Sequence, residues 1–591
     1  MANAFFGFEP FDYGRLQDIY VPFEGYEKNG GINKGEQTQL FGLEDWGDLD
    51  LLCSQYGYQD TTVPEKGVLL SEDNQQQQPY SDFGMLDDFQ YNILSPPFEA
   101  PEDSVTLDSV LTELSDYIQP KNERSYPTTI ASLELLNGYK SGFTKMNGER
   151  LNEQHVEQLK IVDYQRLSTE EVMRVAGAQY IQFSIRNDDN LSMLSNPFVC
   201  AFSGLKDEET KDVELAHLLL AAAEKIGYQQ FERGRRLLNQ CAYMSSSTGT
   251  PVQRVAYYFV EALQERIDRE TGRISSKGTN KGRPPMDVDE LMLTPNSAIL
   301  EYHQALPFAQ MLQFPGVQAI IESVASAKKI HVIDLGIKTG ITWTVMMQAL
   351  AARRECPIEL LKITAVGTKS GQRIEETGKR LASFAESMGL PFSFEVVFVP
   401  NLEDIKEELF HVEDDEVVAV YSAFVFRTLL TRSDRLDCIM RVVRNLNPCV
   451  MVVTEIEGNH NSPSFFNRFI EALFFYSAFF DCLEVSMDRG NENRTTIERM
   501  YFGEAILNIV ATEGEERTYR HVGIDVWRAF FARFGMVELE FSHSSMYQAN
   551  LLAKQSVCGS FCTLDTNGKC IFIGWKGTPL HSLSAWKFHQ I

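Results

Sequence analysis

Long apolar runs are missing from this 591-residue sequence. The most apolar stretches, residues 417–426 and 472–480, fall far short of the roughly 20 residues that cross a bilayer. No basic segment precedes an apolar stretch at the N-terminus, so a secretory signal is not expected. Cysteine is sparse, with ten in all, and no CxxC pair occurs. Cys438, Cys449 and Cys482 lie inside apolar runs, which suits reduced core thiols of the cytosol or nucleus. Cys558, Cys562 and Cys570 with His581 are too loosely spaced for a tetrahedral site, so no metal is expected. Positive charge is also scarce: 54 Lys and Arg stand against 82 Asp and Glu, a net charge of -28. A chain that wraps nucleic acid needs clustered Lys and Arg to displace phosphate counterions. The best candidate, Arg273, Lys277, Lys281 and Arg283, reads either as a small basic patch or as a solvated loop. The expectation is a soluble intracellular protein without a membrane partner.

The negative charge is unevenly spread. Residues 1–120 hold 23 acids and 4 bases, about two thirds of the excess. With Gln75–Gln78, scattered Gly and Pro and no sustained period, residues 1–165 read as a largely disordered acidic region. Bulky apolar residues alternate with acids in Phe41-Gly-Leu-Glu-Asp-Trp-Gly-Asp-Leu-Asp-Leu-Leu52 and in Phe83-Gly-Met-Leu-Asp-Asp-Phe-Gln-Tyr91. Acids keep such side chains exposed, ready to dock in a partner's groove, and this alternation is the composition of activation domains. Trp46, Leu51, Leu52 and Phe83 are the residues expected to carry activation; an inert solubilising tail is the other reading.

Order is expected from Ser168. Ser168-Thr-Glu-Glu171 fits a capping box that opens a helix. A helical hairpin follows over residues 213–241, broken near Gly227. Val252, Val255, Ala256, Phe259, Leu263 and Ile267 then mark one apolar helix face. No a/d register lasts three heptads, so a helical cap over about 205–300 that packs its own core or a partner's is expected. The residues expected to face a partner are Leu215, Leu218, Leu219, Val255, Phe259 and Leu263. From Lys328 the rhythm changes to strand–helix alternation. Apolar runs at 330–335, 360–366, 394–399, 417–421 and 450–454 predict a mostly parallel sheet covered on both faces, an α/β core over about 301–591. A late antiparallel hairpin is expected from residues 558–562 and 570–575.

Asp334-Leu-Gly-Ile-Lys-Thr-Gly340 follows the first strand and opens a helix, where a doubly wound sheet offers backbone N–H groups to a ligand. It is similar to the glycine loop of S-adenosylmethionine-dependent methyltransferases, with Lys338 where another glycine is usual. After the second strand, Ala365-Val-Gly-Thr-Lys-Ser-Gly371 offers no acid for ribose hydroxyls. No nucleophile with its base and no proton-transfer pair is evident. A methyltransferase is therefore an alternative reading, and no cofactor or catalytic residue is assigned. His331, inside an apolar strand, reads as a hydrogen-bonded structural histidine.

At these residues the chain resembles the plant GRAS family, over about Asp212 to the C-terminus. Leu215-Ala-His-Leu-Leu-Leu-Ala-Ala-Ala-Glu224 with Gln253-Arg-Val-Ala-Tyr-Tyr-Phe259 resembles the first leucine-rich region. His331, Asp334, Gly340 and Trp343 match the VHIID block. Asn459, His460 and Pro463 stand in the central block, with Arg468-Phe-Ile-Glu-Ala-Leu473 after it. Arg517 and Trp527 belong to an RVER-like region, and Trp575 and Trp586 to a terminal SAW-like motif. Five such motifs in order are specific, although Gly336, Thr342, Tyr421 and Arg427 depart from the family pattern and mark a divergent branch. No DELLA or TVHYNP-like segment is found, so capture by the gibberellin receptor is not implied.

The resemblance implies a doubly wound, methyltransferase-like (Rossmann-type) core with an α-helical cap, the GRAS domain spanning 166–591. It also implies a non-enzymatic nuclear coactivator or corepressor. Its partners would be other GRAS proteins, as homo- or heterodimer, and DNA-binding transcription factors, with DNA reached indirectly; direct sequence-specific DNA binding is the second alternative. Of the processes such proteins serve, the divergent core and the missing gibberellin module favour root symbiosis, chiefly arbuscular mycorrhiza, over other plant development.

Overall fold

Strands that are apolar on both faces have to be covered on both faces, and the central strands of this chain meet that condition. The computed structural model describes residues 167–186, 206–273, 297–368, 371–431 and 433–589, together with Ser132, Leu135 and Leu136. Its strands are β1 (Lys329–Asp334), β2 (Leu360–Gly367), β3 (Phe392–Phe398), β4 (Val417–Ala423), β5 (Val450–Ile456), β6 (Met536–Leu539), β7 (Cys562–Asn567), β8 (Cys570–Trp575) and β9 (Thr578–Phe588). They form one sheet in the order β3-β2-β1-β4-β5-β9-β8-β7, with β6 also paired to β9. The first five run parallel, and the chain reverses its winding between β1 and β4. From β9 onward the pairing is antiparallel. The expected doubly wound, mostly parallel α/β sheet is the architecture of the molecule.

Successive residues on a strand point to opposite faces, and the two cores divide accordingly. Val332, Ala419 and Val452 lie in one cluster, whereas Ile333, Val420 and Val453 lie in the other. The helices, in chain order, are α1 (Thr169–Arg186), α2 (Asp207–Gly227), α3 (Phe231–Met244), α4 (Pro251–Glu270), α5 (Ser297–Ala305), α6 (Phe308–Ser323), α7 (Ile341–Ala351), α8 (Gly371–Ser387), the single turn α9 (Phe426–Leu429), α10 (Ser433–Leu446), α11 (Phe465–Ser486), α12 (Glu492–Ile497), α13 (Glu504–Val510), α14 (Ile524–Arg533) and α15 (His543–Gln555). Leu436, Ile439 and Met440 of α10 and Trp527, Phe530 and Phe531 of α14 fill the second core. The first core runs without a break from Val332 and Ile363 of the sheet to Val213, Leu219 and Phe259 of the cap.

Local chemistry sets the helix starts. The Ser168 amide donates to Glu171 Oε2 at 2.7 Å, and the Glu171 amide donates to Ser168 Oγ at 3.3 Å, the reciprocal capping box expected there. Thr250 and Gln253 repeat the device before Pro251. The break near Gly227 falls where α2 ends.

Three features differ from the sequence expectation. The helical layer is wider than 205–300: α1 packs on α2, and α11 and α13 pack on α4. Phe259 of α4 meets Phe469 of α11 edge-on at 5.4 Å. α11 is apolar on nearly every side, so its pattern marks burial without naming the neighbour. The hairpin starts at Cys562, because 558–561 form a turn behind α15. The long strand β9, which carries Trp586, and the short β6 were not foreseen; β9 mixes Ser, His and Pro with its apolar residues.

The wider layer is tied down by buried charge. Glu498 accepts from Arg254 Nη1 at 2.6 Å and from Arg494 Nε at 2.8 Å, and all three side chains have no exposed surface. Arg494 also reaches Glu484 at 2.9 Å. Removing one partner of such a group strands the others. Glu498→Gln is therefore expected to destabilise the protein by about 3–5 kcal/mol in urea unfolding. A loss under about 1 kcal/mol would mean that the carbonyls of Arg489 and Met487, which also accept from these arginines, suffice alone.

Candidate functional site

The crevice outside the C-terminal ends of parallel strands is where open α/β sheets bind ligands, so the loops after β1, β2, β4 and β5 define the candidate site. After β1, Asp334 is buried and accepts hydrogen bonds from the Trp343 indole Nε1 at 2.8 Å and from the Gly336 amide at 3.0 Å. Burial pushes its carboxyl up to about 6, although both bonds oppose that rise. Trp343 has no exposed surface and meets Tyr421 of β4 edge-on at 5.1 Å. Gly340 caps α7 with a φ of +80°, and a Cβ there would lie 2.8 Å from Thr377. A Cβ on Gly336 would run into the Val425 side chain. The close approach that both glycines permit is thus taken by this chain's own side chains.

The loop after β2 brings no carboxylate among its described residues, 367–368 and 371. His331 is fully buried, with Nδ1 3.0 Å from Glu416 and Nε2 2.7 Å from Thr364, and burial lowers it to about 4. It is a structural histidine. No cluster of His, Cys, Asp and Glu able to hold a metal occurs among the described residues.

After β5 two separate motifs meet. His460 Nδ1 lies 2.7 Å from His521 Nδ1, and Arg517 donates to the His460 carbonyl and to Asn461 Oδ1, each at 3.4 Å. Asn459 and Pro463, beside them, are exposed. Arg468 pairs with Glu513, which also accepts from Arg266 of α4 at 2.8 Å. The sequence offered His460 and Arg517 as separate motifs; their meeting across 57 residues, and the roles of His521, Arg468 and Glu513, have no local periodicity to announce them.

The remaining tryptophans are anchors. Trp527 packs between Phe426 and Phe531, each 5.8 Å away. Trp575 donates to Asp481 at 2.7 Å, and Trp586 donates to Ser584 Oγ at 2.9 Å while packing on Phe531.

The partner-facing expectation for the leucine-rich helices needs correction. Leu215, Leu219, Val255, Phe259 and Leu263 are at most 1% exposed and belong to the chain's own core, and Leu218 is only partly covered. An apolar stripe has the same period whether it meets its own chain or another. What α3 turns outward is Tyr243, 93% exposed, with Arg233 and Arg236. Of the candidate basic patch, Arg273 is described and lies 3.7 Å from Asp268, while Lys277, Lys281 and Arg283 lie outside the described residues. Trp46, Leu51, Leu52 and Phe83 lie outside them as well. No helix of the described residues is long and apolar enough to cross a membrane.

Comparison with known proteins agrees with this geometry. The family model for the GRAS domain matches residues 215–587. The chain is 32% identical to DELLA protein RGL1 of Arabidopsis thaliana, over 65% of this chain and 72% of that protein. It is 30% identical to DELLA protein GAI1 of Vitis vinifera, over 65% of this chain and 63% of that protein. The matches thus span 63% of one relative's length and 72% of the other's. Among solved structures, the crystal structure of SCL7 from Oryza sativa superposes with a TM-score of 0.56 at 29% identity, covering 63% of this chain and 99% of that one.

The buried groups along the sheet predict how stability follows pH. Burial holds His331 at about 4, His460 and His581 at about 3 and His521 well below its ordinary value. The unfolded chain therefore binds these protons first as pH drops below about 6.5, and stability falls with them. Asp334 at about 6 and Glu457 at about 7 act in the opposite sense, because the folded chain protonates them first. His217 and His303, each lowered by burial to about 4, add to the same side, so the histidines outnumber the raised carboxylates and the chain takes up protons on unfolding near pH 5. The urea midpoint is expected to fall between pH 6.5 and 4.5; a flat or rising midpoint would show that the carboxylates dominate.

Proposed function

Because this chain belongs to the GRAS domain family, whose members are plant regulators of transcription, we propose that it acts in the nucleus by contact with other proteins and not by catalysis. The single structural observation that carries this reading is the closed loop at the end of β1. Asp334 is engaged by Trp343, and the faces of Gly336 and Gly340 are occupied by Val425 and Thr377. A nucleoside cofactor needs that approach open, so the sheet serves as a rigid support for the helical layer it shares a core with.

Its partners are other GRAS proteins and DNA-bound transcription factors, and DNA is reached through the latter. Charge supports that division: Arg273 is offset by Asp268, and the chain carries a net -28. With the leucine stripe buried, partner contact falls to the outward face of the cap, where Tyr243 is the most exposed ring among the described residues. The acidic–aromatic segments around Trp46 and Phe83 recruit the transcription machinery. Within plant development, the departures at Gly336, Thr342, Tyr421 and Arg427 support a divergent branch, and root symbiosis with arbuscular fungi is the proposed setting.

Residues 1–165 and 166–591, tethered separately to DNA in a plant-cell reporter assay, test this reading. Activation is expected from 1–165 alone, and its loss when Trp46, Leu51, Leu52 and Phe83 become Ala; silence from both fragments would overturn the coactivator mechanism. Tyr243→Glu is expected to weaken co-purification of a GRAS partner while shifting stability by no more than about 0.5 kcal/mol. Undiminished co-purification would move the partner surface off α3.

A further inference from the structure

The outward face of α3 carries positive charge that the described residues do not answer. The helix holds three arginines and one acid, Glu232. Arg235 pairs with Asp268 at 3.3 Å, whereas Arg233 and Arg236 are exposed and reach no carboxylate among the described residues. Arg233 Nη1 donates only to the side-chain oxygen of Gln230, at 3.2 Å. Positions 233, 236, 240 and 243 fall on one stripe of a helix with 3.6 residues per turn. Gln240 and Tyr243 on that stripe are exposed as well. The face therefore joins two unpaired guanidinium groups to an aromatic ring, with Leu237 and Met244 half-buried along its edge.

What complements such a face is acidic and aromatic: carboxylates pair with guanidinium groups, and rings stack on them. This chain carries such a segment. Residues 82–91, outside the described residues, contain Asp82, Asp87 and Asp88 with Phe83, Phe89 and Tyr91, and no base. The described residues show where that segment is tethered. Ser132 donates to Asn467 of α11 at 2.6 Å, and Leu136 is buried in the first core. Phe465, at the start of the same helix, lies against Gly227, where α2 ends and the chain turns into α3. The N-terminal region thus joins the folded body next to the start of α3. Forty residues, 92–131, separate the segment from this anchor. A coil of that length spans roughly 35 Å, and α3 is about 21 Å long, so its whole outward face is within reach.

We propose that residues 82–91 dock on the outward face of α3 in the same chain, Asp87 and Asp88 against Arg233 and Arg236 and the aromatic rings beside Tyr243. Exposed ion pairs are individually weak, but tethering raises the local concentration of the segment, so the contact forms within one chain and not between two. The contact does not depend on what the chain regulates. Its consequence does rest on the activation reading above: Phe83 is held on α3 until a partner takes the α3 face and releases it.

Photo-cross-linking of the full chain tests this, with Gln240 replaced by p-benzoylphenylalanine so that the proposed contacts stay intact. At low protein concentration, irradiation is expected to link position 240 to residues 82–91 of the same chain, read by mass spectrometry of the monomer. Arg233→Glu with Arg236→Glu is expected to lower the yield about fivefold or more, and Asp87→Arg with Asp88→Arg to do the same. Combining both pairs of reversals is expected to restore the yield, which a merely disturbed surface would not do; thermal unfolding checks that each variant is folded. A silent reporter assay would remove the consequence for activation and leave the cross-link standing. A label elsewhere on the chain, a covalent dimer in its place, or a yield indifferent to the charge reversals would overturn the proposal.

Discussion

A mostly parallel sheet has no face to spare for water, and that constraint governs this molecule. β1 alternates Val332 into one core and Ile333 into the other, and β4 and β5 follow the same rule. One face is closed by helices from its own strand–helix units, chiefly α10 together with α14. The other face is covered by α6, α7 and α8, and the same core then continues into the helices of the cap. The cap is consequently no detachable module. Its leucines are spent on folding, and any partner meets what they leave outside.

The same economy explains how a ligand-binding architecture can serve as a support. In a doubly wound sheet the loop after β1 is kept open by glycines and a short acid. Here the acid is turned inward to Trp343, and the glycines admit Val425 and Thr377. A tryptophan whose N–H is satisfied inside the protein contributes a large buried area without an unmet donor. The loop has thereby become part of the packing between β1, α7, α8 and the end of β4. Kinship with plant transcriptional regulators and this filling of the crevice are consistent with each other.

Much of this was legible in the sequence because it is local. The five parallel strands were visible as short apolar runs, the start of α1 as Ser168 with Glu171, and the end of α2 as Gly227. The burial of His331 followed from its place between apolar neighbours. What was not legible is non-local. The stripe of Leu215, Leu219 and Phe259 has one period whether it meets α11 or another chain. β9 hides because Ser582 and Ser584 interrupt its apolar pattern while still being buried. Glu498, Arg254 and Arg494 are ordinary helix charges until folding brings them together across 244 residues. The pairing of His460 with His521 is invisible for the same reason.

These non-local polar contacts also set how cap and core communicate. Arg266 belongs to α4 of the cap, Arg468 to α11, and Glu513 to the segment that continues into Arg517. One carboxylate thus joins the outermost well-packed helix of the cap to the arginine cluster at the end of β5. Glu513 faces both arginines, and Arg517 beside them is held below its ordinary value first by burial and then by Arg468 and Arg520. Drawing Glu513 toward one partner weakens its hold on the other. Cap position and the electrostatics of the sheet edge are, on this geometry, a single problem solved by the same few side chains.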